Sequence, residues 1–268
     1  MNLRAMMFVA TVLGLAAVAS CGGDDPPVCP TGDCSLPGST VVKWKFNNYP
    51  QYKFDSDACS DVGAVTVRVE MTQVEDPAIT DFLDKGCGEG QATFIDLPFG
   101  MYNVSVLPLD LDGNVLVSTG GTGQILAGSS GAHTEVTVNV PYTAWTKAYT
   151  GQFLYRLSWG GPAVSCEASM PLVKNQTVTL TAGGVVRTEK SSIDNMPYQQ
   201  LDGTDPKPCR ALSDPFPQNV MGIPFGPATL LVVGTDATDA VVFRTQFDTF
   251  IGVGVFNPTL SFDVTPGM

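Results

Sequence analysis

Hydrophobic and polar positions alternate in several short segments of the chain. In residues 65–71 every second residue is apolar, and the residues between are polar. Because successive side chains of a strand point to opposite faces of a sheet, this period of two predicts a strand with one buried and one solvated face. The buried face is expected to hold Val65, Val67, Val69 and Met71, and the solvated face Thr66, Arg68 and Glu70.

The same order of segments occurs twice along the chain. Each copy has an apolar strand, a cysteine, an alternating strand, a second cysteine, a Pro-Phe-Gly segment, a strand pair around an Asp-containing turn, and a closing strand. In the first copy these are residues 40–46, Cys59, 65–71, Cys87, 97–106, 109–116 and 135–140. In the second copy they are residues 153–159, Cys166, 177–180, Cys209, 223–233, 234–243 and 260–264. We interpret this order as an internal duplication.

Turn signals separate the strands. Asp112-Gly113 lies between apolar runs and predicts a hairpin turn. The segments 98–100 and 224–226 predict tight turns that start the next strand, since Pro fixes one torsion and Gly permits a positive one. Several short strands at this spacing predict an all-β fold of two tandem antiparallel sandwiches.

One helix is expected within this β pattern. Residues 76–85 begin with Asp76 as a possible cap and Pro77 at the first helical position, and they have one apolar side. This arrangement predicts about two helical turns.

The strand after the first Pro-Phe-Gly segment carries a motif. It resembles the core of prealbumin-like and carboxypeptidase-regulatory-like domains, immunoglobulin-like sandwiches often repeated in bacterial surface lipoproteins, at Leu97, Pro98, Gly100, Tyr102, Val104, Val106, Asp110 and Gly113. The second copy departs from the motif, with Pro227-Ala228 in place of Met101-Tyr102 and no Gly in its later turn. The motif covers about 20 residues of each copy and implies a scaffold rather than an activity.

The amino-terminal segment has the parts of an export signal. Arg4 precedes an apolar stretch, residues 6–18, and small residues follow it. The stretch is shorter than the roughly 20 residues that a membrane-spanning helix needs. Residues 18–22, VASCG, resemble the lipobox of bacterial lipoproteins, in which the cysteine is acylated and becomes the first mature residue. Cleavage as a plain secretory signal is the alternative.

The lipobox resemblance implies a domain order and a location. Cys21 would carry the lipid, and Gly22 rather than Asp at the next position implies passage to the outer membrane of a Gram-negative bacterium. Residues 21–39 are rich in Gly, Asp, Pro, Ser and Thr and predict a disordered tether. The expected organisation is a signal peptide (1–20), the tether (21–39), a first sandwich (40–141), a linker (142–150) and a second sandwich (151–268).

The charge narrows the range of partners. The chain has a formal net charge of −12, and loss of Arg4 with the leader makes the mature chain more negative. Such a chain repels phosphate backbones and anionic lipid headgroups. We therefore expect no nucleic-acid partner, and we expect attachment to the membrane through acyl chains on Cys21.

The cysteines predict a disulfide framework. Of seven cysteines, Cys21 is set aside for the lipid, and the remaining six could pair in 15 ways. Spacing favours Cys29 with Cys34, Cys59 with Cys87, and Cys166 with Cys209. A zinc site is disfavoured because there is no Cys-x-x-Cys pair and a single histidine, so we expect no metal and no cofactor.

Catalytic signals are weak. His133 lies in a Gly-rich segment with no Gly-x-Ser-x-Gly elbow, which indicates a solvent-exposed loop histidine rather than a triad base. A hydrolase that uses two carboxylates stays open, since the separation of the 26 acidic residues is not visible in sequence. The expected protein is not an enzyme.

Three acidic segments are candidates for a calcium site. Asp110, Asp112 and Asn114 alternate like the first ligands of an EF-hand, but Val115 and Gly121 stand where that loop needs Gly and Glu. A hairpin turn is the better interpretation. Residues 202–205 and 236–239 are weaker candidates for a surface calcium ion.

The junction between the two copies is the remaining candidate site. Tyr142, Trp145 and Tyr149 could stack on sugar rings, or they could pack the two sandwiches together, which is the commoner use of aromatic area. Two segments expected to be long loops, residues 118–133 and 192–208, are further places for a ligand.

The sequence predicts a lipid-anchored, non-catalytic cell-envelope protein that acts as an adhesion, scaffold or ligand-display module. Its partners would be envelope proteins or glycans. Glycan binding through the junction aromatics is the second hypothesis, and the two-carboxylate hydrolase is the third.

Overall fold

The structure is a computed structural model that describes residues 38–47, 56–128, 132–210 and 216–266. Across these ranges the chain is nearly all β, with one short α-helix and two 3₁₀ turns. The strands form four sheets, and two hydrophobic clusters lie between them. The predicted all-β class with tandem sandwiches is confirmed.

The first sandwich contains seven strands among the residues described. They are β1 (Gly38–Lys45), β2 (Thr66–Gln73), β3 (Thr80–Gly86), β4 (Gln91–Leu97), β5 (Gly100–Leu109), β6 (Gly121–Ala127) and β7 (His133–Asn139). One sheet has the order β4-β1-β7 and the other β3-β2-β5-β6. The β1–β7 pair is parallel, and the other pairs are antiparallel. Helix α1 (Ser56–Val62) lies between β1 and β2 in the chain.

The second sandwich is built from the remaining strands. They are β8 (Thr150–Trp159), β9 (Asn175–Ala182), β10 (Val185–Val186), β11 (Lys190–Ile193), β12 (Met196–Gln200), β13 (Lys207–Pro208), β14 (Gln218–Pro224), β15 (Gly226–Thr235), β16 (Val241–Ile251) and β17 (Thr259–Val264). One sheet has the order β12-β11-β14-β8-β17. The other has the order β10-β9-β15-β16, with β13 also paired to β9.

The two sandwiches repeat one topology. In each, the first strand lies between an antiparallel partner and the last strand, with which it runs parallel: β4-β1-β7 in one and β14-β8-β17 in the other. The opposing sheets share the order β2-β5-β6 and β9-β15-β16. Strand β3 is particular to the first sandwich, and β10 to β13 are particular to the second.

The Pro-Phe-Gly segments are tight turns that lead into ten-residue strands. Gly100 and Gly226 have φ of 155° and 131°, in the region that favours glycine. A Cβ at Gly100 would overlap the amide of Gln73, whose Nε2 donates to the Phe99 carbonyl at 3.1 Å. The turn glycine therefore makes room for the side chain that holds the turn.

Aromatic residues fill both cores. The largest fully buried side chains include Trp44, Phe46, Phe94 and Tyr102 in the first core and Phe153, Tyr155, Trp159 and Phe243 in the second. The alternation in residues 65–71 was correct for Val67, Val69 and Met71, which are fully buried. It was wrong for Val65, which precedes β2 and is 48% exposed.

The helix expected at residues 76–85 is wrong. Asp76 accepts a hydrogen bond from the Ala78 amide at 3.1 Å, and Ile79 N donates to Asp76 O, so the segment starts with a turn. The chain then forms β3, which pairs with β2 along its length. Pairing with an existing strand outweighs a weak local helix preference. The helix that does form, α1, has no comparable sequence pattern.

The two segments expected to be long loops are also largely strands. Residues 118–133 contain β6, and residues 192–208 contain β12 and β13. Hydrophobic periodicity did not predict these short strands, because they have few apolar residues and most of their side chains face solvent.

Each sandwich has one disulfide bridge among the described residues, and the two bridges join equivalent segments. Cys59 of α1 is bonded to Cys87, and Cys166 is bonded to Cys209, with Cα–Cα distances of 5.9 and 6.1 Å. These are the pairs that the spacing predicted. Cys21, Cys29 and Cys34 lie outside the described residues.

Replacing Cys59 and Cys87 by alanine, or Cys166 and Cys209, should lower the free energy of unfolding. The bridges close segments with sequence separations of 28 and 43, which in the loop-entropy model corresponds to about 3.5–4 kcal/mol each. Denaturant unfolding of each double variant measures this loss. Reductant should lower the melting temperature of the wild type and leave a variant without both bridges unchanged. An unchanged wild-type melting temperature would contradict the stabilising role.

Candidate functional site

The junction aromatics are packing residues in this structure. Trp145 is buried, with its ring edge-to-face against Phe46 at 5.1 Å and against Tyr149 at 5.6 Å. The Tyr149 hydroxyl donates to the Val62 carbonyl at 2.9 Å. Tyr142 is 37% exposed and meets the rings of Phe225 and Phe250 of the second sandwich. A buried indole offers no face to a sugar ring.

The expected linker is hydrogen-bonded to the first sandwich. Ser118 N donates to Ala144 O at 2.7 Å, and Thr146 N donates to Leu116 O at 3.1 Å. The chain therefore enters the second sandwich from a segment that is already fixed on the first.

The segment between β16 and β17 returns to the first sandwich. Val253 is 3% exposed and belongs to the first core, and its amide donates to Asn47 Oδ1 at 3.2 Å. Asn257 Nδ2 holds the segment in shape by donating to the carbonyls of Gln152 and Gly252 at 2.7 and 2.8 Å. We call this contact the Val253 insertion.

Gly254 is expected to be sensitive to substitution because it lies at the Val253 insertion. Its φ is +78°, and an added Cβ would overlap the carboxylate of Asp61. Gly113 has nearly the same φ, +81°, with nothing within 4 Å of an added Cβ. Gly113→Ala should cost only the left-handed strain of about 1–2 kcal/mol, and Gly254→Ala should cost more.

Thermal unfolding of the two glycine variants and hydrogen exchange at the Val253 amide measure this difference. Faster exchange only in Gly254→Ala would show that the Val253 insertion is loosened. Equal loss of stability in both variants would contradict the role of the close approach.

The acidic turns use their carboxylates as internal acceptors. Asp110 Oδ1 accepts hydrogen bonds from the amides of Asp112 and Asn114 at 2.9 and 2.8 Å. Asp236 Oδ1 accepts hydrogen bonds from the amides of Thr238 and Ala240 at 2.7 and 3.1 Å. Gly113 takes the left-handed position in the first turn, and Asp239, with φ of 64°, takes it in the second. The second turn therefore needs no glycine.

These hydrogen bonds lower the pKa values of the turn carboxyls. The side chain of Asn114 is the main cause at Asp110, and that of Thr238 at Asp236. Asp202 accepts from Thr204, and Asp205 pairs with Lys207 at 2.9 Å, so the pKa values of both are also lowered. In the part of the chain that the structure describes, no three His, Cys, Asp or Glu residues are grouped to hold a metal ion.

Stability should fall in acid because of these carboxyls. A folded-state pKa below the ordinary 3.8 means that stability is complete above that value and is lost as the pH falls through the folded pKa. Asp110→Asn with Asp236→Asn keeps an acceptor oxygen and removes the titration. The melting temperature of this variant should depend less steeply on pH than that of the wild type between about pH 5 and about pH 2. Identical slopes would contradict the assignment.

His133 begins β7 rather than lying in a loop, which corrects the expectation from the sequence. It is exposed, and its Nδ1 lies 3.2 Å from the Ser39 hydroxyl on the paired strand β1. The contact is part of the parallel β1–β7 pairing.

An open groove of about 690 Å³ lies beside the Cys166–Cys209 bridge. Its walls include Leu172 and Val173 and the Asp236 turn. Leu172 is 58% exposed, and the neighbouring Met170 is 89% exposed.

The outer face of the sheet β3-β2-β5-β6 carries a second open depression, of about 540 Å³. Strand register places its side chains in two rows across the sheet: Glu70, Ser105 and Thr122 in one, and Thr72, Asn103 and Gln124 in the other. The residues between them along the strands, such as Met71 and Val104, face the core. We call the six outward side chains the polar platform: Glu70, Thr72, Asn103, Ser105, Thr122 and Gln124.

The polar platform is bordered by an exposed aromatic ring. Phe82 of β3 lies opposite Glu70 in register and is 58% exposed. The guanidinium of Arg68 lies 5.0 Å from the centroid of this ring and is bonded to both carboxylate oxygens of Asp84 at 2.8 Å. The hydrogen bonds to Asp84 raise the pKa of Arg68 and lower that of Asp84.

The polar platform was not predicted from the sequence. Polar alternation in residues 65–71 already placed Arg68 and Glu70 on a solvated face. Which residues of β5 and β6 join them depends on register, and β6 was expected to be part of a loop. The signal available was the pair Asn103 and Ser105, which alternates with the buried Tyr102, Val104 and Val106.

Among the described residues, no helix is long and apolar enough to cross a membrane. No family model matches the sequence, and no curated protein matches it.

Solved structures give distant matches. The Bacillus anthracis TIE protein matches over 86% of this chain with 10% identity and a TM-score of 0.27, and the chain spans about a third (34%) of that protein. The major pilin T3.2 of Streptococcus pyogenes matches over 87% of this chain and 98% of the pilin, with 14% identity and a TM-score of 0.25. A DUF3823 family protein from Bacteroides uniformis matches over 80% of this chain and 99% of its own, with 13% identity and a TM-score of 0.24. At these scores the matches carry no conclusion about function.

Proposed function

We propose that this chain is a lipid-anchored, non-catalytic protein of the Gram-negative cell envelope, which holds a binding surface at the outer membrane as an adhesion, scaffold or display module. The observation that carries the proposal is the joining of two sandwiches into one body by the Val253 insertion and the junction aromatics. Two sandwiches joined by buried contacts suit the presentation of a surface better than closure around a substrate.

The proposed anchor lies close to this body in the sequence. Residues 21–38 can span at most about 60 Å when fully extended. In the proposal, residues 1–20 are removed as a signal peptide, and residues 21–39 are the tether, except that its last two residues, Gly38 and Ser39, belong to β1. Residues 40–141 and 151–268 are the two sandwiches, joined by residues 142–150. A protein with its lipid on Cys21 would hold both sandwiches near the membrane surface.

The charge of the body favours acyl attachment. With a net charge of −12, the chain gains nothing from contact with anionic headgroups. Attachment must then come from buried hydrocarbon, and lipoprotein acylation supplies it.

The non-catalytic part of the proposal rests on how the acids are used. Asp110 and Asp236 are held by turn amides, and Asp84 is paired with Arg68. Each of these carboxyls has a lowered pKa, which is unfavourable for a general acid near neutral pH.

Cys21→Ala should move the protein from the membrane fraction to the soluble fraction, because it removes the sulfur that carries the lipid. A double variant, Cys29→Ala with Cys34→Ala, is the matched control and should stay in the membrane fraction. Fractionation with immunoblotting measures this difference, and mass spectrometry of the amino terminus measures the lipid. An intact amino terminus with no lipid on Cys21 would contradict the proposal.

A further inference from the structure

We propose that the polar platform binds an uncharged glycan. This inference rests on the proposed function, since it names the partner class that the displayed body would take. The proposed glycan site is this solvent-exposed surface. It is not the junction aromatics, which pack the two sandwiches together.

The dimensions of the polar platform suit an extended oligosaccharide. Four neighbouring strands lie about 4.8 Å apart, so a row from Phe82 to Thr122 spans about 14 Å. The two rows are two residues apart along each strand, about 7 Å. The depression of about 540 Å³ lies within the usual range for ligand sites.

An amide pair provides directional hydrogen bonding. Gln124 Nε2 donates to Asn103 Oδ1 at 2.8 Å, which fixes both side chains. The bond leaves the Asn103 N–H groups as donors and Gln124 Oε1 as an acceptor, side by side. Two adjacent hydroxyl groups of a sugar ring, one accepting and one donating, match this pair.

The remaining platform groups can adapt to a polyhydroxyl partner. The hydroxyls of Thr72, Ser105 and Thr122 can each donate and accept. Glu70 adds an acceptor in the row between Phe82 and Ser105. Most of these side chains are short, so little rotamer entropy is lost on binding.

Phe82 supplies the apolar contact that sugar recognition needs. Sugar rings present C–H groups on their faces, and an aromatic ring covers them. The Arg68 guanidinium, held by Asp84, makes a cation–π contact with the Phe82 ring. This contact favours one position of the ring before a ligand arrives, which would lower the cost of binding.

Charge favours an uncharged partner. Arg68 is paired with Asp84, which leaves the carboxylate of Glu70 as the net charge of the surface. A glycan that carries carboxylate or sulfate groups would meet this charge and the net −12 of the chain. A protein partner is disfavoured because the six platform side chains are polar and most are short, whereas the centre of a protein interface is mainly apolar.

The second sandwich does not repeat this chemistry. Strands β5 and β15 both begin at the glycine of a Pro-Phe-Gly turn. Counted from that glycine, Asn103 of β5 corresponds to Thr229 of β15, and Ser105 corresponds to Leu231. The amide pair is therefore particular to the first sandwich, and Thr229 provides a matched control position.

The test uses the full chain purified in detergent and a printed array of neutral gluco-, manno- and galacto-oligosaccharides, with sialylated and sulfated oligosaccharides on the same array. Wild-type protein should bind one or more neutral oligosaccharides and should bind the charged ones more weakly. Asn103→Ala, Gln124→Ala and Phe82→Ala should each weaken binding about tenfold. Thr229→Ala should bind like the wild type, and thermal unfolding should show that all four variants remain folded.

Several outcomes would overturn the inference. They are a lack of binding to every neutral oligosaccharide on the array, binding that Asn103→Ala and Gln124→Ala leave unchanged, and binding that Thr229→Ala weakens equally. Lipid attachment at Cys21 and membrane fractionation are measured separately, so failure of the glycan inference is distinguishable from failure of the proposed function.

Discussion

The Val253 insertion is the contact on which the arrangement of the two sandwiches depends. A residue of the second sandwich is buried in the core of the first, and its backbone amide is satisfied by Asn47. The surrounding backbone is shaped by Asn257, whose amide bonds three carbonyls of its own sandwich. Removing Val253 from this position would expose apolar surface and leave buried polar groups without partners, and both are costly.

One topology supports two different surfaces. The Pro-Phe-Gly turn, the ten-residue strand and the Asp turn stand at the same spacing in both sandwiches. The side chains that define the core follow this frame, whereas the outward positions are free to differ. In the first sandwich the outward positions build the polar platform. In the second, additional short strands cover the edge of β9, with β10 and β13 paired to it.

The predictions from sequence were correct for elements that depend on local geometry alone. Alternation identified β2, and Pro-Phe-Gly identified the turns into β5 and β15, because both reflect local geometry. The predictions failed at residues 76–85, where a neighbouring strand decided the outcome, and at Val65, which lies just outside its strand.

The candidate site shows the same limit. The polar platform is assembled from strands separated by many residues, so only register reveals that Asn103 lies beside Gln124. The junction aromatics were visible in sequence, but their burial follows from the return of the chain at Val253. Local pattern therefore identified the strands, and long-range pairing decided which side chains meet.

The parallel pairing of β1 and β7 would have a mechanical consequence under the proposal that the chain is held at Cys21. Tension from an anchor at Cys21 would enter at Gly38, the first residue of β1, while a bound partner pulls on the rest of the body. Seven residue pairs join β1 to β7 in unbroken register. Because both strands start at the same end, this tension would load their hydrogen bonds together in shear instead of opening them one at a time. Resistance to pulling would then come from the pairing of β1 with β7.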